Sequence, residues 1–143
     1  MNKTYYPNSF KFEVLNQIKQ LPGSIVLRQD VKSLGSDRQV SRALRTLVEM
    51  GDLVKLGYGV YAKAYYSPRL KRPIIDQGFD SACLEALTRL GVHFEPSQAD
   101  KAYNSGQTTQ VPVRTVVHLK SRFRGHLSDG NRQLRFEDNI NAR

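Results

Sequence analysis

The stretch from Ser36 to Lys63 constrains this chain more than any other part of it. Ser36 and Gln39 have capping-box spacing, in which a hydroxyl and a returning amide satisfy two orphan N–H groups at a helix start. Val40, Ala43, Leu44, Leu47 and Val48 then recur at helical spacing and share one face. This predicts a helix from Ser36 to Met50, ended by Gly51. Arg38, Ser41, Arg42 and Arg45 fall on its other face. Two β-prone runs follow, Leu53 to Leu56 and Val60 to Lys63, around Gly57-Tyr58-Gly59. That is the signature of a tight hairpin with Tyr58 at its tip.

Upstream, Phe10, Val14, Ile18 and Leu21 form an apolar stripe on a helix from Ser9 to Leu21, stopped by Pro22-Gly23. Ile25 to Leu27 reads as a short strand and Arg28 to Leu34 as a brief helix, with Gly35 as its left-handed cap. Three helices and then a glycine-tipped hairpin is the order of a winged helix-turn-helix. The expected fold class is therefore α+β, with such a domain over residues 1–66.

Pro68, Arg69, Lys71, Arg72 and Pro73 make residues 67–78 read as a linker or crossing segment. A small basic α+β unit is expected over 79–143. Its helix runs from Phe79 to Leu90, with Asp80 as N-cap and Gly91 as stop, and a short helix is expected over Ser97 to Asn104. From Val111 the residues alternate as a strand, Val113, Thr115, Val117 and Leu119 against Arg114, His118 and Lys120. Asp129-Gly130-Asn131 marks a turn, and Gln133 to Phe136 a returning strand.

Charge indicates the partner. Lys and Arg number 22 against 13 Asp and Glu, a net charge of +9, which favours a polyanion and most simply nucleic acid. The second helix of a helix-turn-helix places its first turns against base edges in the major groove. On that reading Arg38 and Arg42 reach guanine or phosphate, and Ser41 and Arg45 hold the backbone. Gln39 pairs with adenine only if it leaves the cap it shares with Ser36. Lys55, Tyr58 and Lys63 are placed by the hairpin for the flanking backbone or minor groove. Farther on, Lys120, Arg122 and Arg124 form the densest basic patch and are candidates for further phosphate contact. The plainer alternatives are a solvated helix face and a strand edge guarded by cations.

Nothing argues for an enzyme. His93, His118 and His126 lack metal-ligand spacing, and Cys83 lies on the apolar face of its helix. No phosphate-binding glycine loop, nucleophile elbow or paired-carboxylate signature occurs. Neither a metal nor a cofactor is expected. No apolar run approaches membrane-spanning length and no signal-peptide segment opens the chain, so a soluble, cytoplasmic protein is expected.

A family resemblance joins these features. Arg28-Gln29-Asp30-Val31 through Leu34-Gly35-Ser36, then Val40-Ser41-Arg42-Ala43-Leu44, Leu47-Val48, Gly51 and Leu56-Gly57-Tyr58-Gly59-Val60-Tyr61 resemble the winged helix of AbiEi-type antitoxins. Within that group the chain is most similar to the shorter DUF6088 branch. Ala102-Tyr103-Asn104 and Thr108-Thr109-Gln110-Val111-Pro112 are similar to a motif that follows the winged helix there. The second unit here is shorter and more basic than in longer AbiEi proteins. The resemblance implies a type IV toxin–antitoxin component that represses its own operon and counters a cognate toxin.

The expected function is that of a sequence-specific regulator binding double-stranded DNA, with a homodimer and a toxin as further expected partners and no membrane. Two alternatives stand beside it: a plasmid or mobile-element accessory protein at an origin or transfer site, and a protein-interaction module for an acidic partner. A fragment covering residues 1–66 is expected to keep its choice of site.

Overall fold

The structure is a computed structural model that describes residues 9–96, 116–130 and 132–137. Helix α1 (Phe10–Gln20) starts where Ser9 Oγ accepts from the Phe12 N–H at 3.1 Å, and it buries Val14, Leu15 and Ile18. Strand β1 (Ile25–Leu27) follows. Residues 28–34 form two 3₁₀ turns, Arg28–Asp30 and Lys32–Leu34, and not the expected brief helix. Asp30 Oδ2 accepts from the Leu27 N–H at 2.8 Å and tightens the first turn, while Val31 (φ −124°, ψ 0°) breaks the second away. Seven residues with a local side-chain competitor cannot offset the cost of nucleating an α-helix.

Helix α2 (Asp37–Glu49) carries the predicted capping box, with Gln39 N–H to Ser36 Oγ at 3.2 Å and Ser36 N–H to Gln39 Oε1 at 3.0 Å. Gly51 ends it at φ +85°. Gly35 is not a left-handed cap: its backbone is extended, at φ −171° and ψ −168°. It is glycine for want of room, since an added Cβ would lie 2.7 Å from the Phe10 ring and 2.8 Å from Gln39 Oε1. Gly35→Ala should therefore cost about 1–3 kcal/mol by overpacking, seen as a lower thermal midpoint. An unchanged midpoint would mean that α1 yields freely at Phe10.

Strands β2 (Leu53–Gly57) and β3 (Val60–Ser67) form the hairpin, reversed at Gly59 (φ +69°). Strand β1 pairs antiparallel with the start of β3, giving the order β1-β3-β2. Residues 67–78, expected as a linker or crossing segment, instead return to the sheet. Strand β4 (Arg72–Ile75) pairs with the far half of β3, from Ala64↔Ile75 to Ser67↔Arg72. Helix α3 (Phe79–Arg89) is preceded by Gly78 at φ +88° with no side-chain cap. Asp80 is thus not the N-cap; it lies within the first turn, where its charge still favours the helix dipole. Gly91, at φ +77°, is the stop.

Beyond α3, strands β5 (Phe94–Pro96) and β6 (Val116–Leu119) pair antiparallel. The predicted alternation holds where it is described, with Val117 and Leu119 buried. Strands β7 (Ser128–Asp129) and β8 (Arg132–Gln133) make a small hairpin, and β9 (Arg135–Glu137) pairs parallel with β6. The expected returning strand is therefore split in two at the buried Leu134. The helix expected over Ser97 to Asn104 and the strand start at Val111 lie outside the described residues.

The sheet is covered on both faces. Val26, Leu53 and Tyr61 point to α1 and α2 and complete one core. Ile25, Leu27, Val54, Leu56, Val60 and Ala62 point the other way and pack with Phe79, Ala82, Ala86 and Leu87 of α3 and with Leu127 and Leu134. A polar seam reinforces this second core. Glu85 Oε2 accepts from the Ser24 and Ile25 N–H groups, both at 3.0 Å. Arg89 donates to the Ile25 carbonyl at 3.2 Å and to Asp30 at 2.7 Å. Gly57 completes the join, since an added Cβ there would lie 2.7 Å from the His126 carbonyl oxygen.

Candidate nucleic-acid interface

Helix α2 is amphipathic because its apolar residues repeat every three or four positions, which turns its arginines outward. Arg38, Arg42 and Arg45 are exposed, and no ion pair among the described residues engages them. A cleft lies along each flank of the helix.

The first cleft, of about 310 Å³, separates α2 from the β2–β3 hairpin. Ser41 and Arg45 line its helix side, Lys55 and Tyr58 its hairpin side, and Arg28 and Tyr61 complete it. Strand alternation explains the hairpin's share. Leu53 and Tyr61 bury on the α2 side of the sheet, and Lys55 emerges on that same face nearer the tip. Arg28 is held from both ends. Its N–H donates to the Gly59 carbonyl at 2.9 Å, and its Nη2 donates to the Asp37 carbonyl at 3.0 Å. The Asp37 carboxylate stands 3.7 Å away. Three cations therefore line a cleft with no carboxylate in its lining. Burial raises the Tyr61 phenol above its ordinary value, against the opposing pull of Arg28, so at neutral pH it stays a hydrogen-bond donor. Tyr58 is 94% exposed and packs on almost nothing of its own hairpin.

The second cleft, of about 320 Å³, lies between α1 and α2. Arg38 and Arg42 line it with Lys11, Phe10, Thr46 and the capped pair Ser36 and Gln39. Gln39 spends its amide oxygen on the Ser36 N–H, which leaves the amide nitrogen for any base contact.

Not every predicted residue joins this surface. Lys63 Nζ donates to the Leu21 carbonyl at 2.7 Å, tying β3 to the end of α1 and away from the tip. Lys120 lies 3.9 Å from Glu95, and Arg122 and Arg124 are exposed on either side of Phe123. Phe123 packs inward, edge-on to Phe136 at 5.9 Å, and none of the three cations lines either cleft. Conversely, Arg28 and Lys11 reach the clefts although sequence periodicity gave no reason to choose them. A signal did exist for Arg28, a lone cation directly after a buried strand.

Among the described residues no group of three or more His, Cys, Asp or Glu could hold a metal ion, and no helix is long and apolar enough to cross a membrane. Cys83 is buried in the α3 core, and burial, with the nearby Asp80 charge, pushes its thiol up to about 12. It is a packing residue. No protein-family model, curated protein or solved structure matches the chain.

Proposed function

We propose that this protein binds double-stranded DNA in a sequence-selective way, as a winged helix-turn-helix with α2 as its reading helix. One observation carries the reading: an exposed arginine face on α2 is flanked on both sides by cation-lined clefts. A helix in the major groove has a phosphate strand on each side, so Arg28, Arg45 and Lys55 on one flank and Lys11 on the other would hold the backbone while Arg38 and Arg42 reach towards base edges. The sheet order β1-β3-β2 supports the same reading, with the two 3₁₀ turns standing where the first helix of the pair would be. In keeping with the resemblance to AbiEi-type antitoxins, the proposed role is repression of the protein's own operon.

A footprint on the upstream region of its own gene tests binding, selection and autoregulation together. No protected segment there, and none in a selection from random duplexes, would overturn the reading. Arg42→Ala separates reading from holding. It should cost about 1–3 kcal/mol on the selected site and much less on mixed-sequence DNA if Arg42 meets a base. An equal loss on both would make it a phosphate contact.

A further inference from the structure

The hairpin between β3 and β4 is a second basic projection. Its turn and the start of β4 hold Arg69, Lys71 and Arg72, all exposed, and no ion pair among the described residues engages them. The turn is built, since Ser67 accepts from the Lys71 N–H at 2.7 Å through its carbonyl and from the Leu70 N–H at 3.1 Å through Oγ. Lys71 is the one non-glycine residue at positive φ among the described residues, at +57°. Glycine or asparagine would sit there with less strain, and strain kept at an exposed tip points to a use for the side chain.

A third cleft, of about 580 Å³, connects this hairpin to the α2 surface. Arg72 and Pro73 line one side, Val48 and Lys55 the other, and Asp129, Gly130 and Arg132 of the β7–β8 turn close it. Val48 and Lys55 also line the cleft between α2 and the β2–β3 hairpin, so the two share a wall. Arg132 is largely committed, paired with Asp129 at 2.7 Å and stacked over Phe79 at 5.0 Å. Lys55 on the shared wall, Arg45 in the first cleft and Arg72 in the third are all exposed, and Arg72 continues directly into the exposed turn that carries Arg69 and Lys71.

We propose that the β3–β4 hairpin is a further phosphate-contacting element, through which Arg69, Lys71 and Arg72 follow the DNA backbone beyond the segment that α2 engages. The proposal rests on the DNA-binding reading and adds a contact to it. It also assigns a share of the sequence-independent affinity to this turn, ahead of Lys120, Arg122 and Arg124. Cations on an edge strand also guard against strand-to-strand aggregation, a role that predicts no effect on DNA.

The test uses the full chain and a labelled mixed-sequence duplex of about four helical turns, titrated with salt. The variant is Arg69→Gln with Lys71→Asn and Arg72→Gln, asparagine being chosen because it tolerates positive φ. Each lost phosphate contact removes about 0.9 from the log–log salt slope, so the variant should be shallower by about 1.8–2.7, with weaker binding at low salt. Its thermal midpoint should be no lower than that of the wild type, since all three side chains are exposed and asparagine relieves the strain at position 71. Wild-type affinity and slope in the variant would overturn the hairpin contact and leave the α2 reading standing. A wild-type protein that binds no duplex at any salt would overturn both.

Discussion

Residues 1–66 produced alone should fail to fold as a soluble monomer, against the expectation that they form a free-standing domain. The reason is the second face of the sheet. Ile25, Leu27, Val54, Leu56 and Val60 are each at most 8% exposed, and what covers them belongs to α3 and the C-terminal strands. Burying a side chain of this kind contributes about 1.5–3 kcal/mol. Five of them are therefore comparable with a whole domain stability of about 5–15 kcal/mol. The fragment also loses Glu85 and Arg89, which satisfy the backbone of β1 at the sheet edge. A matching change in the full chain is Leu87→Asp, which places an unpaired charge at a fully buried α3 position and should unfold both halves in one transition. Amide dispersion of the fragment by NMR and the melting of the variant decide the matter. A well-dispersed fragment spectrum, or a variant that keeps a melting N-terminal half, would show that the first half stands on its own.

That dependence between the halves was the part of the fold hardest to read from sequence. Elements with a local code were legible. Helix α2 has its period and its capping box, the β2–β3 hairpin has its glycines, and α3 has a clean apolar face before Gly91. A continuous apolar run is the mark of a strand covered on both sides, and Ile25-Val26-Leu27 has it. Three residues are too few to tell such a strand from half of a one-sided sheet. Two prolines and three cations make residues 67–78 read as a linker or crossing segment, yet the charge and missing N–H of Arg72-Pro73 are both features that an edge strand such as β4 tolerates. Gly35 and Asp80 show a further limit. Each has the right residue type for a cap, but packing against Phe10 and the positive φ of Gly78 settle those two turns.

The surface divides in the same way. Arg38, Arg42 and Arg45 follow from helical period alone, and Lys55 and Tyr58 from the hairpin register. Lys63 has the same alternation as Tyr61, yet two residues farther along the strand the neighbour is the end of α1, and its ammonium meets a carbonyl there. Lys11 reaches its cleft only because α1 packs beside α2, which no local pattern encodes, while Arg28 is marked in sequence only by its place directly after the apolar run of β1.

Reversing the charge at Arg45 and Lys55 together should abolish tight DNA binding while leaving the fold intact. The two stand on opposite walls of the cleft between α2 and the hairpin, with Arg28 held beside them by Gly59 and Asp37. Both are exposed, so glutamate at either position meets water and costs little stability. A hydrogen bond to a charged group contributes about 1.5–3 kcal/mol, so two lost contacts amount to about 3–6 kcal/mol, before any repulsion between glutamate and phosphate. That corresponds to roughly two to four powers of ten in affinity on every sequence. Arg28 is then left between two carboxylates and is drawn to them instead of to DNA. The loss should fall equally on selected and mixed duplexes, unlike that of Arg42→Ala, because Arg45 and Lys55 face each other across the cleft to the hairpin, where the DNA backbone and not a base edge would lie. Anisotropy titrations of both duplexes, with a thermal melt as control, make the comparison. If the doubly reversed protein still binds within a factor of about three, this cleft is not where the backbone lies. Helix α2 would then have to meet DNA through its α1 side, where Lys11, Arg38 and Arg42 stand.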